Sequence, residues 1–245
     1  MTAARPGPML DLPLPRLMAP ELLDSLATGD PRAQRSRADL RRIHRAMATL
    51  SIVLRGLDRG TAGFVPRTLL ELGAGDASMM LRLARRRARR WPNVRVTLLD
   101  RLQVVAPSTV DALIRLGWTP SIVALDVFDW LAGPDDTRRD VVFANLFLHH
   151  FPAEELQRLL RGIAARARVF MCCEPRRSAV ALAGSHLIGL VGAGRVTRQD
   201  AVSSVHAGFR ARELSNLWPD PQCWDIDEYP AGLFSHCLLA VRKAR

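Results

Sequence analysis

The ten residues LLELGAGDAS, from Leu69 to Ser78, decide how the rest of the chain is read. An apolar run ends there in Gly73-Ala-Gly75, where a first strand turns into a helix. Two glycines at such a turn let the backbone approach a ligand that any side chain would push away. On its own a G-x-G also fits a tight structural turn, so its meaning depends on what flanks it.

Downstream of about Arg67, short apolar runs alternate with helical stretches, the pattern of a mainly parallel sheet with crossover helices. Strands are expected at Thr68 to Leu72, Val94 to Leu99, Ser121 to Leu125, Val141 to Ala144 and Val169 to Cys173. Arg176 to Gly194 reads as helical. Thr197 and Asp200 form an S/T-x-x-D/E start for a helix reaching about His206, and another helical piece covers Ala211 to Leu217. Two last strands, Cys223 to Tyr229 and Phe234 to Arg242, joined through Pro230, Ala231 and Gly232, favour an antiparallel pair. The expected fold is therefore α/β, Rossmann-like and doubly wound. Its seven-stranded sheet is mostly parallel, with an antiparallel C-terminal strand.

Upstream, Asp30 and Pro31 supply an N-cap and a first-turn proline for one helix to about Leu57. Leu40, Ile43, Met47, Leu50 and Leu54 recur along it at helical spacing. Residues 1–60 are expected to form an N-terminal helical extension, either a lid or a helix packed over the sheet edge. Residues 61–245 form the main domain, in which 176–220 is a helical insertion on the probable substrate side.

The 245 residues suffice for one sizeable core without metals or disulfides. The net charge of +11 comes almost wholly from arginine, since Lys243 is the only lysine. Arg82, Arg85, Arg86, Arg87, Arg89 and Arg90 crowd one helix and cannot share a face, which favours a solvated surface over a nucleic-acid groove. Cys172, Cys173, Cys223 and Cys237 have neither a zinc spacing nor a disulfide framework, and reduced thiols in a cytoplasm are the simpler expectation. Pro6, Pro8, Pro13, Pro15, Pro20 and Asp11 break up any signal-peptide core, so secretion is not expected. Ala179 to Gly194 is apolar but too short to span a bilayer, so no membrane span is expected.

The dinucleotide fingerprint G-x-G-x-x-G is incomplete, because Ser78 occupies the third glycine's position. Asp100 closes the second strand 25 residues after Gly75 and can accept from two ribose hydroxyls, which suits either a nicotinamide or another nucleoside cofactor. Gly73, Asp100, Asp126, Asn145 and Glu174 all fall at or just beyond strand carboxyl ends, the ligand-binding edge of open α/β sheets.

With Leu125-Asp126-Val127-Phe128 after the third strand and Asp140-Val-Val-Phe-Ala-Asn145-Leu-Phe-Leu-His149-His150-Phe151 at the fourth, the chain resembles class I S-adenosylmethionine (SAM)-dependent methyltransferases. The likeness covers about Arg67 to Arg177, and the LHHF ending is similar to that of quinone-biosynthesis and other small-molecule methyltransferases. The resemblance implies that Glu71 supports the glycine loop and that Gly73, Ala74 and Gly75 flank the methionine part of the cofactor. It also implies that Asp100 binds the ribose, Asp126 the adenine amino group and Val127 the ring face. Asn145 and Leu146 would border the methionine end. Ala77 departs from the family's frequent third glycine.

Methyl transfer from a sulfonium is an in-line displacement in which positioning supplies much of the acceleration, and no metal is required. A hydroxyl or acidic-carbon acceptor needs a base. His149, aided by Glu174, is the candidate base or acceptor-orienting group, with His150 structural; the alternative, in which both histidines only shape the next helix, stays open. The expected partner is a small acceptor, hydrophobic and bearing a phenol, enol or carboxylate. Two alternatives are an RNA methyltransferase, disfavoured because neither an N/D-P-P-Y/F nor a Pro-Cys motif occurs, and a catalytically silent SAM-binding protein. Neither the acceptor atom nor the oligomeric state is readable.

Overall fold

Strand β1 spans Thr68–Leu72 and points alternate side chains to opposite faces: Leu69 goes to one apolar cluster, Leu70 and Leu72 to the other. The computed structural model describes residues 14–27 and 29–244; the prolines before Pro15 lie outside them. Strands β2 (Arg95–Asp100), β3 (Thr119–Ala124), β4 (Arg139–Asn145) and β5 (Ala167–Pro175) join β1 in parallel. β7 (Ser235–Arg242) pairs antiparallel with β5, and β6 (Trp224–Ala231) pairs antiparallel with β7, in the order β3-β2-β1-β4-β5-β7-β6. This is the expected doubly wound, Rossmann-like sheet.

Helices α4 (Ser78–Arg87) and α5 (Pro107–Arg115) cover one face, and α6 (Val127–Ala132) and α7 (Ala153–Arg166) the other. Because β1 is continued toward β2 on one side and bordered by β4 on the other, a crevice opens at their carboxyl ends. Arg85 and Arg86 on α4 and Arg89 and Arg90 in the turn after it are exposed, as the arginine spacing suggested.

The N-terminal region corrects the single expected helix. After the short α1 (Leu22–Ser25), α2 (Pro31–Ala46) and α3 (Thr49–Gly60) are separated by Ala48, whose φ of +52° breaks the helical ladder. Asp30 does cap α2, accepting from the Arg32 N–H. The two helices then part company. α3 packs on the sheet, with Gly56 against Met171 and Gly60 against Val169 and Leu239. α2 buries the small line Ala33, Ser36 and Asp39 rather than the leucine stripe, leaving Leu40 and His44 to face a pocket.

The insertion also differs. Helix α8 is limited to Ala179–Leu187 and continues only as a 3-10 turn, Ile188–Val191, because the glycines that follow do not sustain it. α9 (Arg195–Ala207) starts after Gly194, not at Thr197. Thr197 and Asp200 have other partners: the Thr197 hydroxyl bonds Ser36 and Asp39, and the Asp200 carboxylate accepts from the Leu22 and Leu23 N–H groups. Ala211 to Leu217 forms only a 3-10 turn, Ser215–Leu217, after a left-handed Ala211. Among the described residues no helix is long and apolar enough to cross a membrane.

Candidate active site

The glycine turn after β1 is held in shape from below. Gly73, Gly75 and Ala77 have φ of +66°, +52° and +56°. Ala77 therefore adopts the left-handed conformation that favours glycine, at a cost of about 1–2 kcal/mol. The Asp100 carboxylate accepts from the Gly75 N–H at 2.7 Å and the Leu102 N–H at 2.8 Å, joining the ends of β1 and β2. Arg41 of α2 reaches Asp76 at 2.6 Å and ties the helix to the loop.

A cavity of about 230 Å³ lies against this turn, lined by Glu71, Gly73, Ala74, Gly75, Asn145 and Leu146, with Arg37, Arg41 and His44 from α2. Three buried atoms facing it have no hydrogen-bond partner: Glu71 Oε2, Asn145 Oδ1 and His44 Nε2. Buried polar groups are nearly always paired, so unpaired ones in a pocket wall point to a ligand. Burial, followed by the nearby Asp76 and Asp100, pushes the Glu71 carboxyl well above the usual carboxylate range.

A second cavity, about 660 Å³, continues past Gly73, within the size range of small-molecule sites. Asp100, Leu125, Asp126 and Val127 form one wall. Asp126 caps α6 by accepting from the Phe128 N–H at 2.8 Å. Phe128, Phe147 and Phe151 form an aromatic corner, with edge-to-face centroid distances of 5.6 and 5.0 Å. The Phe147 ring sits so close over Gly73 that a Cβ there would meet it at 2.4 Å. The two cavities thus share the Gly73–Leu146 edge.

At the far wall stands a chain of charged groups. Glu174, fully buried, accepts from the Phe147 and Leu148 N–H groups at 3.1 and 3.0 Å, and from His149 Nδ1 at 2.8 Å. His149 Nε2 lies 3.4 Å from Glu21 Oε1, and Glu21 also accepts from the Ser204 hydroxyl. Burial alone would lower the His149 pKa, but the hydrogen bonds and charges of the two carboxylates outweigh it and raise it to about 9. Burial likewise tends to raise Glu21, yet its contacts with His149 bring it below its ordinary value. With both nitrogens donating at neutral pH, His149 holds its proton.

All the residues expected from sequence meet at this one sheet edge. His149, Asp100, Asp126, Val127 and Leu146 line the larger cavity, and Glu71, Ala74, Gly75 and Asn145 the smaller, with Gly73, Asp100 and Leu146 in both. Glu174 lies behind His149 and does not reach the cavity. His150, expected to be only structural, also lines the larger cavity. Sequence reasoning missed Glu21, Asp24, Arg37, Arg41 and His44. They arrive from the N-terminal segment with no spacing motif: Arg37, Arg41 and His44 on α2, Glu21 and Asp24 on a strap held mainly by α9, where Leu17 N–H donates to the His206 carbonyl, Arg16 to the Ala207 and Phe151 carbonyls, and Asp200 accepts at Leu22 and Leu23.

No family model and no curated protein matches the chain. Among solved structures, an O-methyltransferase family protein from Burkholderia thailandensis is similar at 17% identity and TM-score 0.58; 89% of this chain covers 61% of that one. The chain thus spans about three fifths of that relative's length. Magnesium protoporphyrin IX methyltransferase from Synechocystis PCC 6803 with bound SAM is similar at 17% identity and TM-score 0.53, over 88% of both chains. The same enzyme with bound SAH matches at 16% identity and TM-score 0.53. At such identities the likeness is one of fold, and the fold is that of class I SAM-dependent methyltransferases.

Proposed function

We propose that this protein is a SAM-dependent methyltransferase acting on a small, largely hydrophobic acceptor that carries a phenol, enol or similar group. The observation that carries the reading is the pair of unpaired buried acceptors, Glu71 Oε2 and Asn145 Oδ1, in the pocket beside the glycine turn. A methionyl ammonium would satisfy both, and the sulfonium would reinforce ionisation of Glu71. Asp100, whose oxygens keep lone pairs free beyond their two backbone bonds, would take the ribose hydroxyls. Val127 would pack on the adenine ring and Asp126 would meet its amino group. The bound cofactor supplies the electrophilic methyl group.

In this reading the acceptor occupies the remainder of the 660 Å³ cavity, against Phe128, Phe147 and Phe151. Of the two roles open to His149, orienting the acceptor is favoured over acting as the base, because a doubly bonded imidazolium has no lone pair to offer. Glu21 presents a carboxylate to the same space. Glu174 acts through His149 and is a positioning residue. The basic surface and the scattered arginines have no role in this scheme.

The test is twofold. SAM or SAH should bind the purified protein in calorimetry, and an acceptor panel read by mass spectrometry should yield products heavier by one methyl. Absence of SAM binding refutes the proposal; SAM binding with no product from phenols, enols or carboxylates favours a silent binding protein. His149→Ala should lower kcat by about 10² or more while leaving SAM affinity within a few-fold. An undiminished rate removes His149 from the mechanism.

A further inference from the structure

Glu21, His149 and His150 offer three ligand atoms that all lie within 4.8 Å of one another on the wall of the larger cavity. We propose that this cluster is a divalent-cation site of the zinc class, seated where the acceptor binds. The proposal rests on the methyltransferase reading for its place in the reaction, and on geometry for the site itself.

Four features support it. First, the donor set is two imidazoles and one carboxylate, the three-ligand composition of catalytic zinc sites, which leave a fourth position open for substrate or water. Imidazole donors suit late first-row cations better than magnesium or calcium. Second, the 3.4 Å between His149 Nε2 and Glu21 Oε1 matches the edge of a tetrahedron whose metal–ligand bonds are about 2.0–2.1 Å. Third, His149 has the partner expected behind a ligating histidine. The fully buried Glu174 carboxylate takes the Nδ1–H at 2.8 Å, which fixes the ring and directs Nε2 at the cluster, where a bound cation would take the place of the Nε2 proton shared with Glu21. Fourth, the second imidazole, His150, is not tied into a close pair. The His149 and His150 rings lie side by side with centroids 4.2 Å apart. His150 Nδ1 is still 3.9 Å from Asp24 Oδ2, beyond a hydrogen bond, so Asp24 stands at the rim as a further oxygen donor.

A cation here would join the N-terminal strap to the turn after β4, two segments 128 residues apart in the chain. It would place Lewis-acid charge beside the hydroxyl oxygen of the acceptor. That oxygen would lose its proton to solvent and form the new bond to the methyl carbon as the methyl–sulfur bond breaks, leaving the neutral thioether. The site would favour acceptors with an oxygen donor held at the aromatic corner.

The full chain, stripped with a chelator, is titrated with Co²⁺ and followed by its visible ligand-field absorption, with Zn²⁺ as competitor. The expected result is one tight equivalent displaced by Zn²⁺, with affinity reduced at least about tenfold in both Glu21→Gln and His150→Ala. Cys223→Ser, at an exposed cysteine outside the cavity, should leave binding unchanged. Glu174→Gln should weaken Co²⁺ by about 10- to 100-fold, as loss of an outer partner does. SAM calorimetry on each variant reports whether its fold is intact. No saturable equivalent in the wild type overturns the site, as does an equivalent insensitive to both Glu21→Gln and His150→Ala. Wild-type SAM binding with no Co²⁺ site overturns this proposal alone, whereas loss of SAM binding overturns the methyltransferase reading.

Discussion

The fold alters the protonation of Glu71 and His44 in opposite senses. Burial, with Asp76 and Asp100 nearby, favours the protonated form of Glu71 in the free protein. A cationic ligand reverses that balance by favouring the ionised form. SAM binding should therefore release up to one proton, and affinity should rise as pH rises above the ordinary carboxylate range. Calorimetry in buffers of different ionisation heat measures the proton; Glu71→Gln should abolish its release, and pH-independent binding in the wild type would refute the assignment. His44 shifts in the opposite sense. Burial, with Arg82 nearby, lowers it to about 4, against partial compensation by Asp76. The unfolded chain protonates near 6.5 and the folded one does not, so stability present above that value is lost as pH falls toward 4. The loss is about 3 kcal/mol. His44→Gln should flatten the difference between urea midpoints at pH 7 and pH 4.

The informative elements are the N-terminal strap and the segment that follows α9. Asp200 holds the strap through two backbone N–H groups at 2.7 and 3.0 Å, and the strap delivers Glu21. Asp200→Ala should expose the strap to limited proteolysis and reduce kcat, with SAM affinity changed less than about threefold, since no cofactor contact is touched. Equal losses of both would mean that the strap also shapes the cofactor pocket. Gly208 is constrained differently: a Cβ there would fall 2.3 Å from the Pro175 carbonyl oxygen, and backbone cannot swing aside as a flexible side chain can. Overpacking of this kind costs about 3 kcal/mol. Gly208→Ala should lower Tm by about 6–12 °C in a chain of this size, and an unchanged Tm would show that β5 and the 208–209 bridge move apart freely. Helix α2 illustrates the limit of periodicity. Its apolar spacing at Leu40 and Ile43 is real, but the buried line is Ala33, Ser36 and Asp39, because its neighbour α9 offers Thr197 as a hydrogen-bonding partner rather than an apolar face.

For the whole molecule, both cavities open at one edge of a single sheet whose two faces are separately filled, one cluster around Leu57, Trp91, Phe143 and Met171, the other around Leu160, Phe170, Trp218 and Trp224. A ligand at that edge bridges β1, β2, β3 and β4 and should stabilise the fold as a unit. At a hundredfold excess over Kd it adds about 2.7 kcal/mol, so SAM and SAH should each raise Tm by about 5–11 °C. A shift with NAD in place of SAM would reassign the glycine turn to a dinucleotide.

How much of this was legible in the chain depended on whether the signal was local. The alternation in β1, the G-x-G turn and the acidic residues closing successive strands are properties of neighbouring residues, so LLELGAGDAS and its echoes at Asp100, Asp126 and Asn145 determined the sheet and its binding edge. Local patterns misled where the partner was distant. Thr197 and Asp200 have the spacing of a helix start, but their side chains serve α2 and the strap. The single N-terminal helix was broken by the backbone at Ala48, which no side-chain period reports. Glu21, Asp24 and His44 carry no motif, because their contribution arises only when the N-terminal segment folds back over the sheet edge. Sequence alone thus determined that His149 follows the fourth strand at the ligand edge. Only the tertiary structure decided its surroundings: Glu174 comes from an adjacent strand and Glu21 from across the chain, and together they clamp the ring between a fully buried carboxylate and a partly buried one.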